Sequence, residues 1–179
     1  VLNRIYLKRR KKKQMGQYWK TIVEGRDKSI QVSEDFGKLV EFAFSDRHEV
    51  KASLELIRDN PSRLVFAGDY SGDDDDTSGL FKHWDDSTFN TKDIECKSSL
   101  DGMCVINLDK NEMIVYDRFF KKMDSTGENL VDPVVLLASQ GNGNGGGDWC
   151  PYEPTPASKL VGKWCGDLMV FRLFKPERN

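Results

Sequence analysis

The chain has 179 residues, 38% of them hydrophobic and 11% aromatic. That is enough for one domain with a real core, and too aromatic for a disordered chain. No apolar run approaches the roughly 18 residues that a membrane-spanning helix needs. Charge is divided unevenly. Residues 1–14 hold Arg4, Lys8, Arg9, Arg10, Lys11, Lys12 and Lys13 and no acid, which is seven of the 27 basic residues. The remainder therefore carries 20 basic against 29 acidic residues, a net of −9. A basic head of this kind suits a nuclear-localisation or nucleic-acid patch. The stronger reading is a disordered tail, or an upstream extension foreign to the domain, because Met15-Gly16 reads as a natural start. An acidic body repels phosphate backbones, so nucleic-acid binding is expected only through the head.

From Gln17 to Val32 the pattern predicts a hairpin. Tyr18-Trp19-Lys20-Thr21-Ile22-Val23 is β-rich, Gly25-Arg26-Asp27-Lys28 supplies the turn, and Ser29-Ile30-Gln31-Val32 returns. Leu39, Val40, Phe42, Ala43 and Phe44 form an apolar block. Ser45 or Asp46 can cap a helix that runs through Arg58 and places Val50, Leu54 and Ile57 on one face. Asn60-Pro61 stops it. Leu64-Val65-Phe66-Ala67 is a short buried strand ending at Gly68-Asp69.

Residues 71–100 read as a mobile acidic loop around Asp73-Asp74-Asp75-Asp76, with one short helix or edge strand at most. A second hairpin follows. Met103-Cys104-Val105-Ile106-Asn107 goes out, Leu108-Asp109-Lys110-Asn111 turns, and Glu112-Met113-Ile114-Val115-Tyr116 returns. Val134-Val135-Leu136-Leu137-Ala138 then leads into a glycine-rich stretch, Gly141 to Asp148, and Leu168-Met169-Val170-Phe171 is the last strand. Pro151, Pro154 and Pro156 exclude a regular helix between the glycine loop and Ser158.

The two hairpins resemble each other. Ile22-Val23 and Ile30-Gln31-Val32 match Val105-Ile106 and Met113-Ile114-Val115, and Ala67-Gly68-Asp69 matches Cys165-Gly166-Asp167. This order of parts suggests two half-repeats, residues 15–70 and 101–174, inside one α+β domain of residues 15–179 with a mainly antiparallel sheet. An equally good explanation of the match is that Asp-Lys turns and Gly-Asp pairs are common.

Met15-Gly16-Gln17-Tyr18-Trp19-Lys20, the block around Leu39, Ala67-Gly68-Asp69-Tyr70, the glycine loop and Gly162-Lys163-Trp164-Cys165-Gly166-Asp167 together resemble a widespread family of uncharacterised proteins. Its members open with Met-Gly-x-Tyr-Trp and end near Trp-Ala-Gly-Asp-Arg. Cys165 stands here where Ala is usual, and Leu168 where Arg is usual. The resemblance implies a domain boundary at Met15 and no catalytic residues.

Gly141, Gly143 and Gly146 match G-x-G-x-x-G, and the Val134 run fits the strand such a loop needs. No helix can follow, so there is no helix N-terminus to receive a pyrophosphate. The loop is better read as a turn, with a backbone anion nest as the alternative. Asp69 with Asp73 to Asp76 lacks EF-hand spacing, and a charge run is usually solvated. Asp69, Asp148 and Asp167 stand beside glycines, where capping a turn is the commoner role than acid–base work. Cys96, Cys104, Cys150 and Cys165 include no C-x-x-C pair, and His48 and His83 are the only histidines, which leaves zinc and thiol–imidazole chemistry poorly supported. Trp19, Trp84, Trp149 and Trp164 all read first as core. Trp84 and Trp149 sit in polar surroundings and are candidates for a partner surface.

The sequence thus points to a non-catalytic cytoplasmic interaction module with reduced thiols and no cofactor. Its partner would be a protein rather than a membrane, and the contact residues Gly143, Gly146, Asp148, Trp149, Trp84, Asp167 and Asp69. The alternative is a small-molecule or nucleotide-binding enzyme on the glycine loop, using Asp148 and Asp167.

Overall fold

Two hairpins form the two edges of the sheet, and in each the turn is closed by a non-glycine residue with positive φ: Lys28 at 68° and Asn111 at 54°. In the first turn the Asp27 carboxylate accepts from the Ser29 N–H at 3.0 Å and from the Ser29 hydroxyl at 2.6 Å. A Cβ on Gly25 would lie 2.8 Å from that carboxylate, so a larger residue there would make the Asp27 and Ser29 side chains shift. In the second turn the Asn107 side chain accepts from the N–H groups of Asp109 and Lys110, both at 3.0 Å. These are Asx-type turns, in which a short polar side chain stands in for backbone.

The computed structural model describes residues 18–34, 37–39, 48–68, 83, 86, 89–96, 99–119, 132–140 and 159–176. The named elements are β1 Trp19–Glu24, β2 Ile30–Val32, α1 His48–Leu56, β3 Ser62–Gly68, a 3-10 turn at Thr91–Asp93, β4 Met103–Asn107, β5 Glu112–Val115, α2 Pro133–Ala138 and β6 Leu168–Leu173. The strands make one antiparallel sheet in the order β2-β1-β3-β6-β4-β5. The chain is α+β, as the alternation of apolar residues in the strands predicts.

The strand order is the same by connectivity from either edge: the hairpin's return strand, its first strand, then the strand that follows a helix. β3 and β6 meet at the centre through only Ser62↔Met169 and Arg63↔Leu168. Beyond that point each takes a different neighbour. Residues after α1 run beside β6, with the Asp59 N–H on the Phe171 carbonyl at 2.9 Å. Residues after α2 run beside β3, with the Gln140 N–H on the Phe66 carbonyl at 3.0 Å. Both of these contacts are parallel bridges, Arg58↔Phe171 and Ser139↔Phe66.

One sheet face carries the helices. A single cluster joins Val50, Leu54 and Ile57 with Val134 to Ala138 and with Trp19, Val23, Leu64, Phe66, Met103, Val105, Met169 and Phe171. Trp19 is fully buried and Trp164 nearly so, in keeping with their reading as core. The opposite face of the first half buries a smaller cluster, Ile22, Val32, Val65 and Ala67.

Three expectations change. The run Val134 to Ala138 is a helix, α2, and not a strand. Asp132 caps it by accepting from the N–H groups of Val134 and Val135, and Pro133 occupies its first turn. A short apolar run has no periodicity to separate helix from strand, and the cap decided it. Second, α1 stops at Leu56 rather than Arg58, because Ile57 to Asp59 bond to Phe171 instead of continuing the helix. Third, the two Gly-Asp pairs are not counterparts: Gly68 ends β3, whereas Gly166 and Asp167 precede β6. By position in the sheet Leu64-Val65-Phe66 corresponds to Met169-Val170-Phe171, with Leu64, Phe66, Met169 and Phe171 all in the helix-side core. The hairpin match is also out by one residue. Ile22 faces away from the helices and Val105 faces toward them, and a one-residue shift along a strand exchanges the faces.

Candidate functional site on the outer face of the second half

Of the residues nominated from sequence, Asp167 is described. Gly143, Gly146, Asp148, Trp149, Trp84 and Asp69 lie outside the described residues, as do Cys150, the acidic run and the candidate caps Ser45 and Asp46. Asp167 belongs to a network that ties the turn before β6 to the second hairpin. Its Oδ2 accepts from Asn107 Nδ2 at 2.7 Å and from Lys110 Nζ at 2.5 Å. Asp109 accepts from the Leu168 N–H at 2.9 Å, and Arg63 donates to the Gly166 carbonyl at 2.6 Å. Trp164 Nε1 donates to Glu112 at 2.6 Å. The turn is fastened to α2 as well, through the Trp164 N–H on the Leu137 carbonyl at 2.7 Å. In this setting Asp167 ties the turn to the second hairpin through side-chain partners, Asn107 and Lys110, and among the described residues its carboxylate takes no backbone N–H of the kind that capping a turn would use.

A second buried polar pair went unnoticed in the sequence. Asp132 is fully buried and accepts from the Tyr116 hydroxyl at 3.2 Å, besides capping α2. Burial pushes its carboxyl up to about 6, against the opposing pull of the Val134 N–H and the Tyr116 hydroxyl. Tyr116 is pushed up by burial and by the neighbouring carboxylate. The Asp-Pro pair before an apolar run is the signal that could have found this cap.

The outer sheet face, opposite the helices, differs between the halves. In the first half the cross-strand row Val32, Ile22 and Val65 is completely buried. The corresponding row of the second half is Met113, Ile106 and Val170. There Met113 is 46% exposed and Ile106 half-buried, although Val170 is covered. Beside this row Arg172 stands directly across from Cys104. Together with Arg118, Phe174 and Lys175 these residues line a half-open cavity of about 940 Å³. Arg118 lies 5.0 Å over the Phe174 ring, which sets one wall.

The cavity's rim is cationic. Among the described residues Arg58, Arg118, Arg172 and Lys175 line it against one carboxylate, Asp59. Arg58 is engaged, forking onto Glu55 and lying 4.7 Å over Phe171. Among the described residues Arg118, Arg172 and Lys175 have no carboxylate partner. Burial raises the Cys104 thiol, with Arg172 pulling the other way, so the thiol in the floor stays protonated at neutral pH. Among the described residues no disulfide joins Cys96, Cys104 and Cys165, no three His, Cys, Asp or Glu side chains gather to hold a metal, and no helix is long and apolar enough to cross a membrane. The arrangement offers an apolar floor and a charged rim, which is recognition chemistry.

The chain matches no family model, no curated protein and no solved structure.

Proposed function

We propose that the protein is a non-catalytic interaction module that receives a protein partner on the outer face of β4, β5 and β6. One observation carries the reading. The row Val32, Ile22 and Val65 is sealed, whereas the corresponding Met113 and Ile106 keep apolar surface in solvent beside Val170. Apolar side chains placed in the same way on the same sheet, covered on one side and open on the other, mark the open side as a surface that a partner completes. An intracellular setting belongs to the same proposal, supported by burial raising the Cys96 and Cys104 thiols and by the lack of a disulfide among the described cysteines. We also infer that the halves arose by duplication, on the support of their shared connectivity and paired parallel bridges.

The test is to pan a random-peptide display library against the full chain and against Met113→Asp. Met113 is exposed, so the substitution should leave the melting temperature unchanged while abolishing binding of the ligands recovered. If no recovered ligand distinguishes the two proteins, this face is not a docking site.

A further inference from the structure

We infer that the groove takes an acidic segment of the protein partner, with carboxylates against Arg172, Lys175 and Arg118 and apolar side chains between them on Ile106 and Met113. This rests on the interaction-module reading and specifies the partner's chemistry. The argument starts from charge. Most of the chain is acidic, with a net of −9 outside residues 1–14. Within the described residues, acids on the β1, β3 and β4 side are matched to cations: Glu24 to Arg63 and Lys28, Asp109 to Arg63, Asp167 to Lys110. Among the described residues around the groove, three cations stand without a carboxylate partner, and Asp59 is the one described acid in the lining. Local charge there is opposite to that of the whole.

The chemistry of the lining narrows the occupant further. A guanidinium presents a planar fork that matches a carboxylate, and two of the three cations are arginines. Arg118 is held over the Phe174 ring, 5.0 Å from its centroid, at the edge of the groove. The floor between them is apolar, with Ile106 half-buried and Met113 46% exposed. A polyphosphate or nucleic-acid strand would leave that floor unfilled and would be repelled by the rest of the chain. A purely aliphatic segment would leave three cations partly desolvated and unpaired. A peptide with Asp or Glu interleaved with Leu, Ile or Phe satisfies both surfaces, and a flexible Met in the floor adapts to its side chains.

The peptides recovered by wild type and lost with Met113→Asp provide the test, measured by fluorescence anisotropy on the full chain. They should be enriched in Asp and Glu alternating with aliphatic or aromatic residues. Their affinity should fall about tenfold with Arg172→Glu, as for an exposed charge at a groove turned from attraction to repulsion, and should weaken as salt is raised. Arg172→Ala should give a smaller loss, and thermal melts of both variants should match wild type. Recovered ligands that lack acids, or that are indifferent to Arg172→Glu, overturn the acidic partner and leave the docking face standing. Absence of any ligand sensitive to Met113→Asp overturns both. Displacement of the peptides by a single-stranded DNA oligonucleotide or by inorganic phosphate shows a general anion site and overturns the inference.

Discussion

Asp132 shows how much can depend on one buried carboxyl. It caps α2, accepts from Tyr116 and has no exposure to water. With a folded-state value of about 6 against an ordinary 3.8, the folded chain keeps a proton that the unfolded chain has lost between those two pH values. Stability therefore falls as pH rises from about 4 to about 6 and is level above that, by roughly 2–3 kcal/mol from this group. Asp132→Asn retains an acceptor for the cap, presents an amide N–H that the Tyr116 hydroxyl oxygen can accept, and cannot ionise. Urea titrations across that window should show wild type losing stability relative to Asp132→Asn as pH rises. A constant difference between the two would mean that the carboxyl titrates normally.

At the scale of elements, the turn before β6 is held by its own backbone bonds and is fastened to the second hairpin by side chains. Asn107, Lys110 and Asp167 close one side, and Trp164 with Glu112 the other. Asp167→Ala removes the acceptor that Asn107 and Lys110 share. Because Lys110 is partly exposed, the expected cost is about 1–2 kcal/mol by urea denaturation, less than for a fully buried charged bond. Asp167→Asn, which keeps an acceptor for Asn107, should cost less than the alanine. Equal losses from the two would place the effect in packing rather than in hydrogen bonding. Elements were legible from sequence where periodicity was long or turn chemistry explicit. Both hairpins are examples, whereas β3 and β6 are short unbroken apolar runs of the same kind as α2. α2 was misread because five apolar residues fit either conformation, and only the bonds from Asp132 break the tie.

For the whole molecule the contrast is between the two sheet faces. The helix-side face is closed, so removing bulk there is costly. Leu54→Ala should destabilise by about 2–5 kcal/mol, whereas Met113→Ala on the outer face should lie within about 0.5 kcal/mol of wild type. Similar losses for the two would show that Met113 is part of the core and would remove the basis for a docking face. The same division explains the error in matching the halves. Ile22-Val23 and Val105-Ile106 look alike in one dimension, but their residues face opposite sides of the sheet.

The sequence by itself determined the α+β class, both hairpins, the burial of Trp19 and Trp164, and the separation of a basic head from an acidic body, because these depend on local alternation, turn residues and composition. Tertiary structure decided which strands are neighbours, that Asp167 is tied to Lys110, and that Arg172 stands beside Cys104 and Ile106 in an open groove. Those facts depend on register between segments tens of residues apart. A cation's lack of a partner, or an apolar residue's lack of cover, is a property of the packed chain and has no trace in the identity of the residue alone.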